Sequence, residues 1–147
     1  MTATGANKLL VRRFFEEIDK GNLAIVDELV ADDYVDHNPP PIAGLPEGRE
    51  GLKRALATFF PGMSGRHQIE DQIAEGDKVV TRMTNYGRHT GDLPGVPRTD
   101  QELKNGSIVI HRIANGKIVE KWAQRDMLSL FQQLGVFARQ RDRAVAV

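Results

Sequence analysis

Asn115-Gly116-Lys117-Ile118-Val119-Glu120-Lys121-Trp122-Ala123-Gln124-Arg125-Asp126 is the stretch on which the fold turns. Asn-Gly suits both central positions of a type I′ turn, where φ is positive, so it is the strongest short-range hairpin signal a chain can carry. Ile108, Ile110 and Ile113 lie before it, and Ile118 and Val119 after it. The dipeptide therefore predicts two antiparallel strands, one over about 101–113 and a final one ending near Arg125. The final strand carries the only tryptophan, Trp122. Strict alternation puts Ile118, Glu120, Trp122, Gln124 and Asp126 on one face and Lys117, Lys121 and Arg125 on the other. If the first face lines a cavity, an indole and a carboxylate share apolar surroundings. Burial raises a carboxyl pKa towards the range useful for proton transfer.

Working outward, Val79–His89 and Gln68–Ala74 read as two further strands, joined by the turn Glu75-Gly76-Asp77-Lys78. A glycine- and proline-rich loop, Thr90–Thr99, connects to the strand at 101–113. Met127–Leu134 predicts a short helix, stopped by Gly135. The first half is helical. Leu10, Val11, Phe14, Phe15 and Ile18 form one apolar face of a helix over 7–20. Asn22 suits the N-cap of a second helix through Val30. Leu52, Ala55, Leu56, Phe59 and Phe60 stripe a third over about 49–60. Between these, Asp32–Pro41 reads as loop, because three consecutive prolines forbid helix. Helices followed by a strand meander define an α+β domain. The expected architecture is a cone-shaped curved antiparallel sheet of about four strands, with three N-terminal helices enclosing a pocket and a short C-terminal helix. One domain spans 1–147, with its core at 7–135 and a polar, basic tail at 136–147 that is mobile or lent to a partner subunit. A four-stranded sheet leaves a broad face to hide, which predicts a homodimer through the sheet.

Composition narrows the function. Acids and bases number 20 each, so no global field favours nucleic acid or membrane. The chain has no cysteine, which excludes thiol nucleophiles and thiolate metal sites and suits a reducing cytoplasm. The histidines do not fall at metal-ligand spacing, and no phosphate-loop, dinucleotide or nucleophile-elbow motif occurs, so neither metal nor cofactor is expected.

Several phrases recur together: Val11-Arg12-Arg13-Phe14-Phe15-Glu16-Glu17, Tyr34-Val35-Asp36-His37, Gly48-Arg49-Glu50-Gly51-Leu52, Ala74-Glu75-Gly76-Asp77-Lys78-Val79-Val80, Gly87-Arg88-His89-Thr90-Gly91, and Arg112 through Trp122 followed by Asp126. In this order and spacing the chain, from Leu10 to Gly135, resembles the SnoaL-like polyketide cyclases of the nuclear-transport-factor-2-like superfamily. The resemblance implies cofactor-free ring closure of an aromatic polyketide ester by intramolecular aldol condensation, with an aspartate as acid/base. Asp126 stands at the matching place after the tryptophan strand. Two positions depart from the family pattern. Met83 replaces an aromatic found in many relatives, and Lys121-Trp122-Ala123 stands where many show histidine–tryptophan–aspartate.

The catalytic candidates are Asp126, His89 and His37; Trp122, Tyr34, Phe15, Met83 and Asn85 are the candidate substrate contacts. Each has a plainer alternative. Asp126 could cap the last helix, His89 could pack a strand end, His37 could anchor its loop and Trp122 could be core wall. On the strand 79–89, parity separates Asn85 and His89 from Arg82 and Tyr86, and leaves open which pair faces inward. His111 reads as a sheet residue or dimer contact, and His67 as exposed. The expected ligand is a small apolar or aromatic carbonyl compound. Two other functions fit the same cone: epoxide or ester hydrolysis or isomerisation, with Glu120, Asp126 and Arg82 gathered around a water for the hydrolase, or non-catalytic binding of a hydrophobic ligand by a dimer.

Overall fold

A computed structural model describes residues 1–59, 61, 63–91 and 97–135. Phe60, the centre of the 90–99 loop and the 136–147 tail lie outside the described residues. Helix α1 (Ala3–Asp19) starts earlier than its apolar stripe, because the Thr2 hydroxyl accepts the Gly5 backbone N–H at 3.1 Å and caps the first turn. Its stripe buries Val11, Phe14, Phe15 and Ile18 as expected. Helix α2 (Ile25–Leu29) is short and starts after Ala24, not Asn22, whose side chain donates to Glu17 Oε2 at 2.8 Å instead. It ends at Leu29, and Val30 opens a strand.

That strand, β1 (Val30–Asp36), corrects the expected loop and the expected strand count. The sheet has five strands in the order β1-β5-β4-β3-β2, with β2 (Met63–Glu75), β3 (Lys78–His89), β4 (Glu102–Ala114) and β5 (Lys117–Arg125). β1 runs parallel to β5 at the edge, while the other pairs are antiparallel. Its run of acids hid it from pattern reading: only Val30 and Tyr34 are buried, and an edge strand tolerates charge on its open side. Helix α3 (Gly48–Phe59) packs on β1, and α1 crosses β2 and β3. Together they cover one face of the curved, unclosed sheet. Helix α4 (Met127–Gln133) follows β5.

The Asn115-Gly116 hairpin forms as predicted, with φ of 52° and 72°. The register beyond it is not regular. Arg112 pairs with Glu120 but Ile113 pairs with Ile118, so Val119 is an extra residue on β5. A bulge shifts side-chain parity by one residue. From there His111 faces Lys121, Val109 faces Ala123 and Ser107 faces Arg125 on the helix-covered side. Glu120, Trp122 and Gln124 face outward beside Arg112, Ile110 and Ile108. The alternation expected for this strand is therefore inverted where it matters.

Candidate active site

The space between α1, α3 and the sheet is a funnel. Its inner chamber, about 110 Å³, is walled by Phe14, Phe15 and Ile18 of α1, Tyr34 of β1, Leu52 and Leu56 of α3, and Met83, Val109 and Ile118 of the sheet. Its mouth, about 580 Å³, opens past the proline loop, Phe59, Leu103, Ala123 and the α4 residues Met127 and Leu130. His67, Asn85, Lys121, Arg125, Leu52 and Leu56 line both, so the two spaces are continuous.

Four of the residues chosen from sequence as substrate contacts meet here: Phe15, Tyr34, Met83 and Asn85. The open parity of β3 resolves in favour of Asn85, since Val79, Thr81, Met83 and His89 on its side are buried. Arg82 faces out and pairs with Asp71, Nε to Oδ1 at 3.1 Å. Asn85 donates to Ser107 Oγ at 3.0 Å, and its carbonyl oxygen is buried without a partner among the described residues. Burial pushes the Tyr34 phenol well above its ordinary pKa, so it stays a neutral hydroxyl.

The other four candidates lie elsewhere. Trp122 is on the outer face, where the His37 ring stacks on it at 4.7 Å and 3° and His37 Nε2 meets Glu120 Oε2 at 2.7 Å. These hydrogen bonds, from His37 and then from Arg112 Nε at 2.5 Å, hold the Glu120 carboxyl below its ordinary pKa. His89 is fully buried at the end of β3, its Nδ1 2.9 Å from Thr99 Oγ1, and lines neither part of the funnel. Asp126 is exposed and takes its capping role: Oδ1 accepts the Ser129 backbone N–H at 3.0 Å. The trio Glu120, Asp126 and Arg82 is not assembled. Ala123 is buried in the wall of the mouth.

Apart from Tyr34 and Asn85, the polar groups that face the funnel are not among the candidates read from sequence. Lys121 Nζ lies 3.0 Å from Asp36 Oδ2, both side chains nearly buried. Burial lowers the lysine pKa, and the Asp36 carboxylate opposes that shift. Asp36 is fixed in turn, since its Oδ1 accepts the Asn38 backbone N–H at 2.9 Å. The adjacent Asn38 carboxamide oxygen accepts from Ala123 N at 2.8 Å and ties the proline loop to β5. Arg125 adds a second cation to this wall. His111, read from sequence as a sheet or dimer contact, lies in the inner chamber against Phe14 and Phe15, and burial holds its pKa down at about 3, so its imidazole is neutral. His67, expected to be exposed, lines both chambers and meets Asp19 Oδ1 through Nδ1 at 2.6 Å. One signal of the inversion was available: Ile118-Val119 places two apolar residues side by side and breaks period two. The pairing of Asp19 with His67 leaves no local trace. Among the described residues no group of three or more His, Asp or Glu converges as a metal site requires.

A cone of sheet and helices around an apolar funnel with a polar wall is the nuclear-transport-factor-2-like architecture, with room for a small molecule. Residues 9–134 match the SnoaL-like polyketide cyclase family, and the chain belongs to that family. It is 32% identical over 130 residues to the aklanonic acid methyl ester cyclase DauD of Streptomyces sp. (strain C5), covering 86% of this chain and 80% of that one. It is 29% identical over 113 residues to the nogalonic acid methyl ester cyclase of Streptomyces nogalater, covering 75% and 83%. In structure it is similar to TsrD from Streptomyces laurentii, with a TM-score of 0.82 and 27% identity over 93% of this chain and all of the other.

Proposed function

We propose that the protein is a cofactor-independent cyclase that closes a ring in a polyketide methyl ester by intramolecular aldol addition. The observation that carries this is the cation Lys121, pinned by Asp36, facing an apolar funnel that is otherwise walled by aliphatic and aromatic side chains. Carbon flanked by ketone and ester carbonyls is acidic. Its enolate and the alkoxide formed on ring closure both place negative charge on oxygen. An ammonium fixed in a low-dielectric wall stabilises such an oxyanion far better than water would, because it is already oriented. Asn85, Ser107 and the Tyr34 hydroxyl supply further hydrogen bonds to carbonyl oxygens. The apolar walls fold the chain so that its reacting carbons approach.

Aldol addition conserves mass. Incubation with nogalonic or aklanonic acid methyl ester should convert the open ester to a ring-closed isomer of the same mass. Lys121→Met combined with Asp36→Asn, which removes both charges together, should lower kcat roughly 10²-fold or more. Substrate recovered at the uncatalysed rate with native protein rejects the reading.

The same reading places the enzyme in the cytoplasm as a single-domain subunit of a homodimer. Among the described residues no helix is long and apolar enough to cross a membrane. The outer sheet face, on which Ile73 is 67% and Ile108 49% exposed, is the surface that favours self-association.

A further inference from the structure

Ring closure requires a base, and the acids nominated by sequence do not reach the funnel. Asp126 caps α4 at the surface and Glu120 faces outward. Asp36, which sequence did not nominate, does line the mouth, but its carboxylate is engaged by Lys121 Nζ and the Asn38 backbone N–H. We propose that His67, oriented by Asp19, is the catalytic base, taking the α-proton of the substrate on Nε2 and returning it to the alkoxide. This rests on the cyclase reading above and names the residue that moves its proton.

Asp19 closes α1 and grips His67 twice: Oδ1 meets the ring Nδ1 at 2.6 Å, and Oδ2 accepts the His67 backbone N–H at 2.8 Å. A carboxylate on Nδ1 fixes the proton there and leaves the lone pair on Nε2, at the opposite corner of the ring. The ring is wedged against Phe15, with centroids 5.0 Å apart. Backbone, ring plane and tautomer are thus all set before substrate arrives. The side chain is a wall of both the inner chamber and the mouth, which is where a substrate passing between them would lie. The other titratable or charged groups around this cavity cannot replace it. His111 on β4 is neutral but buried deeper, Lys121 on β5 is held in its ion pair with Asp36, and the Arg125 guanidinium has no basic lone pair. The step balances. Nε2 takes the α-proton and the C–H pair becomes the enolate. The enolate carbon bonds to the ketone carbon, the carbonyl π pair becomes alkoxide, and the imidazolium returns its proton to that oxygen. No co-reactant is consumed.

His67→Gln separates this role from a structural one. The glutamine amide can still donate to Asp19 and hold α1 against β2, but it cannot accept a proton at neutral pH. The assay follows cyclisation of nogalonic acid methyl ester and, separately, deuterium exchange at its α-carbon in D2O. The expected result is a loss of roughly 10²–10⁴-fold in kcat for both reactions, with KM nearly unchanged. His67→Gly should regain rate when imidazole is added. Asp19→Asn should lower kcat and change the acid limb of the kcat/KM profile. Native-like turnover in folded His67→Gln overturns the proposal and leaves the cyclase reading standing. Exchange that depends on His67 without ring closure by native protein supports the base and rejects the cyclase. Native protein that catalyses neither reaction overturns both.

Discussion

His111 shows how burial sets the chemistry of one residue. It is 1% exposed, edge-on to Phe14 and Phe15, and its Nδ1 has no partner among the described residues. Burial first, and then the Lys121 charge, lower its pKa from 6.5 to about 3. The unfolded chain takes up that proton at the ordinary value and the folded chain does not, so the unfolded state binds more protons below pH 6.5. Stability is therefore intact above that pH and falls as pH drops towards 3, by at most about 1.4 kcal/mol per pH unit from this group. Urea unfolding between pH 7 and 4 should show the decline, and His111→Phe should flatten it. An equal decline in the variant would assign it to other groups. Composition could not foretell this: the sequence supplies the imidazole, but its environment comes from residues of α1 and β5 that are remote in the chain.

At the scale of elements, turns and stripes were legible and the bulge was not. Helix α1 buries the face its periodicity selects, and Asn115-Gly116 forms the hairpin its dihedral preference selects, because both signals are local. A Cβ on Gly116 would meet nothing within 4 Å, so Gly116→Ala is penalised only by φ of 72°. It should cost about 1–2 kcal/mol in urea unfolding and leave KM unchanged. Gly51 is the opposite case. Its φ is ordinary, but a Cβ there would collide with the Pro46 carbonyl, where α3 seats against the proline loop. Gly51→Ala should push α3 off that loop, raising KM as well as lowering stability. Equal effects of the two changes on KM would show that the α3 seat does not shape the mouth. Period-two reading of β5 failed through the single extra residue Val119, which turned Trp122 and Glu120 outward and Lys121 and Arg125 inward. β1 escaped because an edge strand with one open side does not have to alternate cleanly.

At the scale of the whole molecule, the sheet has one face committed to the funnel and another that carries exposed Ile73 and Ile108 beside half-buried Ile110 and Trp122. Exposed apolar side chains on an open sheet face can be covered by a second copy. Sedimentation should report a dimer, and Ile108→Lys should shift it to monomer with its circular dichroism unchanged. A native monomer at assay concentrations would remove the dimer. The α+β class, the helix order, the hairpin and the family were all determined by the sequence itself, because periodicity, turn dihedrals and phrase order act over a few residues at a time. Which side chains meet in the funnel was decided only by the tertiary structure. Asp19 with His67 and Asp36 with Lys121 join residues far apart in the chain, and one bulged residue in β5 sets which of its faces they see.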